Sequence, residues 1–326
     1  MRAVLCKAFG EPETLVVENI PDPVPGEGEI RIAVAAAGVN FADTLMVGGG
    51  YQESPDFPFS PGLEVAGTVL ECGAGVSGIV PGDRVMAGCA FGGYAEQIAL
   101  PAGDAYHLPD AMAFDVAGGF PVAYGTAYGA LAWRAGLEAG ETLLVLGAAG
   151  GVGIGAVEVG KAMGATVIAA AGGPSKCAIA REHGADHVID YRAENLRERV
   201  REITGKSGCN VIFDPVGGDV FDTALRCLAW EGRLIVIGFA SGRIPSAPAN
   251  ILLVKNCGVL GFYWGAYRRR EPARFRAAFE KLLGWHGEGR LNPHVSQTLP
   301  LERAGEALRS LLDRRATGKL VLTMGG

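Results

Sequence analysis

Short apolar runs punctuated by glycine and proline fill the first third of the chain: "LVVENI", "EIRIAVAAAG", "EVAGTVLE", "DRVMAG" and "YAEQIAL". Runs of this length, rich in β-branched residues and bounded by turn formers, predict a mostly antiparallel, barrel-like β domain. From about residue 120 the rhythm changes. The stretch "ETLLVLGAAGGVGIGAVEVGKAMGATVIAAAGG" reads as buried strand, glycine turn, helix and second buried strand, and the alternation continues through "HVIDY", "NVIFDPV", "GRLIVIGF" and "CGVLGFYW". Such alternation predicts a doubly wound parallel sheet, so the fold class is α/β. Leu196, Val200 and Ile203 line one face of a helix whose charged residues face solvent. After Trp264, Phe275, Phe279, Leu282 and Leu283 recur at helical spacing, "LERAGEALRSLLDRR" predicts another helix and "KLVLTM" a closing strand. The pattern divides the chain into a β domain over residues 1–122, a nucleotide-type domain over 123–264, and a return to the first domain over 265–326.

A chain of 326 residues accommodates two domains with real cores. Its 50 glycines are about twice the usual share, which implies tight turns and close backbone approaches to a ligand. With a net charge of −6 and no basic stripe, binding to nucleic acid through its phosphates is not expected. The seven cysteines are scattered without a CxxC pair, which argues against a zinc knuckle or a disulfide framework and fits a reducing compartment. The N-terminus lacks the apolar run of a signal peptide. Val116 to Trp133 carries no charge but contains Pro121 and four glycines, unsuited to a membrane span. The expected location is the cytoplasm.

Two local features suggest chemistry. In "VLGAAGGVG", Ala148, Gly150 and Gly153 occupy the three positions of the dinucleotide fingerprint between a predicted strand and helix. There the central glycine admits a pyrophosphate, the last lets the helix pack on the strand, and the helix N-terminus supplies N–H groups. The second strand ends near Gly172 with no Asp or Glu for ribose hydroxyls; Ser175 and Lys176 follow instead. A hydroxyl and a cation suit the 2′-phosphate of NADP, although Lys176 also reads as a solvated residue of a first helical turn. The other feature is "PGLEVAG", which sets Glu64 between apolar neighbours, so some partner must stand beside its carboxylate.

Taken together, "AAGVNFADTLMVGGGY", "PGLEVAGTV", "GDRVMAG", "GGYAEQ", "AYGTAYGAL", "LVLGAAGGVG", "GADHVIDY", "FDPVGG" and "GFYWGAY" resemble the zinc-free quinone oxidoreductases, of zeta-crystallin type, within the medium-chain dehydrogenase/reductase superfamily. The resemblance implies a GroES-like β-barrel catalytic domain plus a Rossmann domain, with the active site in the cleft between them. It also implies no metal: zinc-dependent relatives place a Cys at Asn40, a His at Leu63 and a third ligand at Val122, and amide or alkyl side chains do not supply the nitrogen and sulfur ligands catalytic zinc needs. Glu64 falls where an acid stands beside the metal in those relatives, and its expected partner here is an arginine, with Arg84 a guess, or a backbone N–H.

For the cofactor, the resemblance carries over Thr126 near the nicotinamide, and Ala149, Gly150, Gly151, Val152 and Gly153 at the pyrophosphate. Around the adenosine phosphate it places Gly172, Ser175, Lys176, Tyr191 and Arg315. At the nicotinamide end it places Gly238, Phe239, Phe262, Tyr263 and Trp264, aromatics that read equally well as core or interface packing. Asn40 and Tyr51 are the catalytic candidates. A protonated tyrosine can donate a hydrogen bond at neutral pH, but Tyr51 also reads as a loop cap and Asn40 as a turn residue. Leu45 stands where some members carry a tyrosine, which suggests a more apolar pocket. Without zinc, alkoxide chemistry loses its main electrostatic support, whereas quinones and α,β-unsaturated carbonyls delocalise the charge that hydride addition creates. The resulting expectation is an NADPH-dependent quinone reductase, with reduction of enones, alkenals or enoyl thioesters as the alternative and a non-catalytic NADPH-binding protein as the next. A homodimer is implied, with "VLGFYW" as the seam. The five histidines show no metal-like or triad spacing.

Overall fold

In the computed structural model, residues 1–53 and 55–325 are described. They form two compact units, one of residues 1–122 with 294–326 and one of residues 123–293. The chain's return to the first unit therefore falls at His294 rather than at 265. The reason is aromatic packing: Trp264 stacks on Phe275 with centroids 4.2 Å apart, and Phe275 meets Phe279 edge-on at 5.2 Å. The helix Pro272–Gly287 thus buries its apolar stripe, including Leu282 and Trp285, in the second unit.

The first unit is built on a largely antiparallel sheet. The long strand Glu29–Val39 pairs with Glu64–Cys72, Gln97–Pro101 and the closing strand Lys319–Thr323. Along Glu29–Val39, Ile30, Ile32 and Val34 alternate inward, as a half-buried strand requires. Beyond the closing strand, Val295–Pro300 adds in parallel. A short helix, Phe41–Val47, follows the long strand directly, so its N-terminus lies at the end of that strand beside Asn40.

The second unit carries six parallel strands in the order His187–Asp190, Thr166–Ala171, Thr142–Leu146, Cys209–Asp214, Leu228–Val236 and Gly258–Gly261. The middles of its central strands are apolar: Leu143, Leu144, Val145, Val211, Ile212 and Phe213 are fully buried, which helices on both faces of a sheet demand. The order reverses between Thr142–Leu146 and Cys209–Asp214, the switch point at whose carboxyl ends ligands bind in such sheets. One glycine there is obligatory. A Cβ on Gly153 would lie 2.2 Å from the carbonyl oxygen of Gly147, so only glycine lets the helix Gly151–Ala162 sit this close to the strand before it.

Candidate functional site

In the first unit, the partner of Glu64 is a lysine. Glu64, fully buried at the start of Glu64–Cys72, accepts from Lys319 Nζ at 2.6 Å and from Asn40 Nδ2 at 2.9 Å on Oε1. Its Oε2 accepts from the Val122 N–H at 2.7 Å. The Lys319 ammonium also donates to Asn40 Oδ1 at 2.7 Å and to the Val39 carbonyl at 3.0 Å. Gly38 makes room for this cluster: a Cβ there would lie 2.2 Å from Glu64 Oε1. Of the two kinds of partner expected from sequence, the backbone N–H is present and the arginine is not. Arg84 instead donates to the carbonyls of Asp110 and Met112 and lies over the Phe114 ring.

Next to this cluster stands a second buried acid that the sequence reading did not single out. Asp43, at the third position of the helix Phe41–Val47, accepts on Oδ2 from the Asn40 N–H at 2.8 Å and from the Tyr94 hydroxyl at 2.8 Å. With the Asn40 side chain it forms a capping box. Its Oδ1 is buried with no hydrogen-bond partner among the described residues. Burial outweighs the bonds to Oδ2 and raises the Asp43 carboxyl to about 7. The same burial, with the Asp43 charge, raises the Tyr94 hydroxyl well above its ordinary value. The sequence signal was "NFAD", an Asn followed by an acid three positions on. Tyr51 is half-buried and packs against the core of this unit, while Leu45 is partly exposed. Asn40 is thus fully engaged, through its backbone and both side-chain atoms.

In the second unit the glycine turn has the expected form. Gly150 caps the helix Gly151–Ala162 from an extended conformation with no side chain covering the first N–H groups. The neighbouring turn at the end of Cys209–Asp214 packs against it, since a Cβ on Gly147 would meet Val216 at 3.0 Å. Asp214 holds that turn by accepting from the Val216 and Gly217 N–H groups at 2.8 and 2.9 Å. Burial raises its carboxyl above the usual range, and its Oδ2 has no partner among the described residues. The loop carrying Gly238 and Phe239 folds over the same turn, through Ala240 N–H to the Pro215 carbonyl at 3.1 Å and the Phe239 ring against Gly217. Gly172 follows Thr166–Ala171, and Ser175 and Lys176 lie in the first turn of Pro174–Glu182. Tyr191 stands over Gly172. Arg315 belongs to the first unit, where it is exposed and pairs with Asp313 at 2.9 Å.

Thr126 is buried on the helix Phe120–Tyr128. Of the aromatics expected at the nicotinamide end, Phe262 and Trp264 pack on a helix of the same unit. Trp264 lies on Gly125 and Phe262 on Gly129, where any Cβ would come within 2.3 and 2.5 Å of the rings. That contact explains the glycine spacing in "AYGTAYGA". Tyr263 caps the helix Trp264–Arg270. A histidine given no role from sequence, His183, places Nδ1 2.6 Å from Glu158 Oε1, while Glu158 Oε2 accepts from the Tyr124 hydroxyl at 2.8 Å. This buried network anchors the middle of the glycine-turn helix. Among the described residues, no group of three or more His, Cys, Asp or Glu is placed to hold a metal ion.

A GroES-like sheet and a six-stranded dinucleotide-type sheet within one chain define the medium-chain dehydrogenase/reductase class. The family model for the alcohol dehydrogenase GroES-like domain matches residues 26–110, and that for zinc-binding dehydrogenases matches residues 151–283. The chain is 43% identical to a quinone oxidoreductase-like protein 2 homolog of Nematostella vectensis, covering 98% of this chain and 88% of that protein. It is 32% identical to human quinone oxidoreductase over 99% of this chain and 98% of that one. Escherichia coli quinone oxidoreductase, solved in complex with NADPH, superposes with a TM-score of 0.93 at 32% identity, covering 99% of this chain and all of that one. The chain belongs to the quinone oxidoreductase family.

Two predictions follow from the first unit's charges. Lys319→Met leaves a buried carboxylate without its counter-ion and is expected to cost about 3–5 kcal/mol of unfolding free energy, with Glu64→Gln on the same background recovering a large part. Urea denaturation of the single and double variants measures this. A single-variant loss within error of zero contradicts the coupling. For Asp43, the folded carboxyl titrates higher than the unfolded one, so the folded state holds a proton the unfolded chain has released. The stabilisation contributed by Asp43 is therefore full below about pH 4, declines by up to about 1.4 kcal/mol per unit as pH rises, and is lost above about 7. Asp43→Asn should remove this slope, seen as the difference between the two proteins' pH–stability curves; parallel curves refute it.

Proposed function

We propose that the protein is an NADPH-dependent oxidoreductase that passes hydride to quinones without zinc. The observation that carries this reading is the Lys319–Glu64–Asn40 cluster. Asn40, Leu63 and Val122, at the positions of the metal ligands in zinc-dependent relatives, offer an amide and two alkyl groups, and the donor set does not fit zinc. The carboxylate that would stand beside a metal is already neutralised by the Lys319 ammonium. Binding of NADPH is supported by the relatives' complexes and by the second unit: an uncovered helix N-terminus at Gly150 and Gly151, a glycine at 172 in place of an acid, and Lys176 close by in sequence.

When bound, NADPH would supply the hydride, and a quinone taking up that hydride with a proton from solvent or a nearby hydroxyl would leave as the hydroquinone. The chain's contribution to that step is orientation and exclusion of competing chemistry. Asn40 is fixed by four hydrogen bonds and cannot swing away, and Tyr51 is the candidate proton-side donor. An acceptor that spreads the incoming charge over its own π-system needs no Lewis acid. Seven free cysteines are consistent with a reducing cytoplasm, and no described helix is long and apolar enough to cross a membrane.

NADPH consumption measured against a panel of quinones and a panel of enones, alkenals and enoyl thioesters tests the reading. Turnover confined to quinones is expected; turnover confined to the other panel shifts the substrate class, and none with either leaves a non-catalytic NADPH-binding protein. Activity that survives dialysis against a chelator and does not rise with added zinc is part of the same expectation. The same reading includes a homodimer through the sheet edge Gly258–Gly261, whose outer side is unpaired among the described residues. The adjacent helix Ala249–Lys255 leaves Leu253 76% and Val254 70% exposed. Sedimentation should give a dimer that Leu253→Glu with Val254→Glu weakens; a wild-type monomer rules the dimer out.

A further inference from the structure

The adenosine end of the second unit contains a cation for which no role has been assigned. Tyr191 and Arg192 follow the strand His187–Asp190, and both side chains stand over the backbone at the end of the neighbouring strand. A Cβ built on Gly172 would meet Arg192 Nε at 3.0 Å and the Tyr191 hydroxyl at 3.1 Å. The position is fixed from below by Asp190. Its Oδ1 accepts from the Gly173 N–H at 2.9 Å and from the Arg192 N–H at 3.0 Å, tying the turn after one strand to the exit of the other. The Arg192 side chain itself is exposed and makes no hydrogen bond or ion pair among the described residues. Arg2, Arg31, Arg233, Arg243 and Arg309 engage carboxylates, whereas Arg181, Arg197 and Arg201, like Arg192, make no side-chain hydrogen bond or ion pair among the described residues.

We infer that Arg192 is a specificity-determining residue that reads the 2′-phosphate of NADPH beside Lys176. The inference rests on the NADPH reading given above and adds a residue to it. Its basis is chemical. A dianionic phosphate monoester is matched by a planar guanidinium, which offers parallel N–H donors, better than by a point charge alone. The ribose 2′-hydroxyl of NADH offers no such charge and would need a carboxylate acceptor, which the glycine at 172 does not provide. Gly172 is then glycine for a steric reason as well, since any side chain would displace the guanidinium and the tyrosine ring from over the backbone. Asp190 acts as a positioning residue, and its charge is spent on two backbone donors.

Equilibrium binding of NADPH and of NADH, followed by nicotinamide fluorescence with no acceptor present, tests this without reference to turnover. Arg192→Gln is expected to weaken NADPH by about 10- to 100-fold, the range of a lost charge-assisted hydrogen bond, and to leave NADH binding unchanged. Unchanged NADH binding also shows that the variant is folded. Arg192→Lys should fall between the two, keeping the charge and losing the fork. If Arg192→Gln weakens both nucleotides equally, or neither, while the wild type still prefers NADPH, the role of Arg192 is overturned and the NADPH reading stands. A wild type that binds NADH as tightly as NADPH overturns the NADPH reading itself.

Discussion

A carboxylate and an ammonium, both out of reach of water, hold the first unit together. Glu64 is fully buried and the Lys319 side chain nearly so. Removing either ion from water costs several kcal/mol, and attraction within the pair offsets this only when the remaining donors and acceptors are matched. Here they are. The three N–H donors of Lys319 find Glu64, Asn40 and the Val39 carbonyl, and the two oxygens of Glu64 take three donors between them. The geometry requires glycine at 38, the long strand ending at Val39, and a closing strand that begins with a lysine.

That pair also shapes what the site is able to do. An ammonium whose hydrogens are all engaged has nothing left to polarise a substrate carbonyl and, unlike a metal, has no open coordination position. On the proposed reading, Lys319 supplies a fixed positive charge beside Glu64 and holds Asn40 still. The demand for charge stabilisation is thereby transferred to the acceptor, which favours molecules that delocalise an added electron pair. Asp43 sits against the same asparagine with an unsatisfied oxygen, so this region balances an ion pair that is fully matched and a carboxyl that is not.

Much of this was legible along the chain because it is written in local patterns. The change from turn-punctuated strands to strand–helix alternation located the junction near residue 122, and the glycine turn was identifiable from its spacing. The need of Glu64 for a partner could be read from "GLEVAG", but the partner could not, because Lys319 is 255 residues away and nothing local marks it except a charge at the head of an apolar strand. Arg84 was nearer in sequence and already satisfied by carbonyls. Phe262 and Trp264 show a related limit: an aromatic at a strand end looks the same in sequence wherever it packs, and only the position of Gly125 and Gly129 in space reveals the contact with the helix. The boundary lies at 293 rather than 264, since the helix Pro272–Gly287 follows its aromatic partners into the second unit.

Two charged positions in this chain, one in each unit, are held in opposite ways. In the first, Lys319 and Glu64 find all their partners within the chain, so removing one member should be felt as stability. In the second, the Arg192 backbone N–H is held by Asp190 and the guanidinium is left without a counter-ion among the described residues. A solvated arginine on an ordinary surface would be free to move, and its backbone would not be clamped by an aspartate that simultaneously fixes the adjoining turn. Fixing the backbone beneath a cation while leaving the cation unpaired lowers the entropy lost when an anion arrives. On the proposed reading, an anion arriving at Arg192 meets a cation whose backbone is already fixed by Asp190.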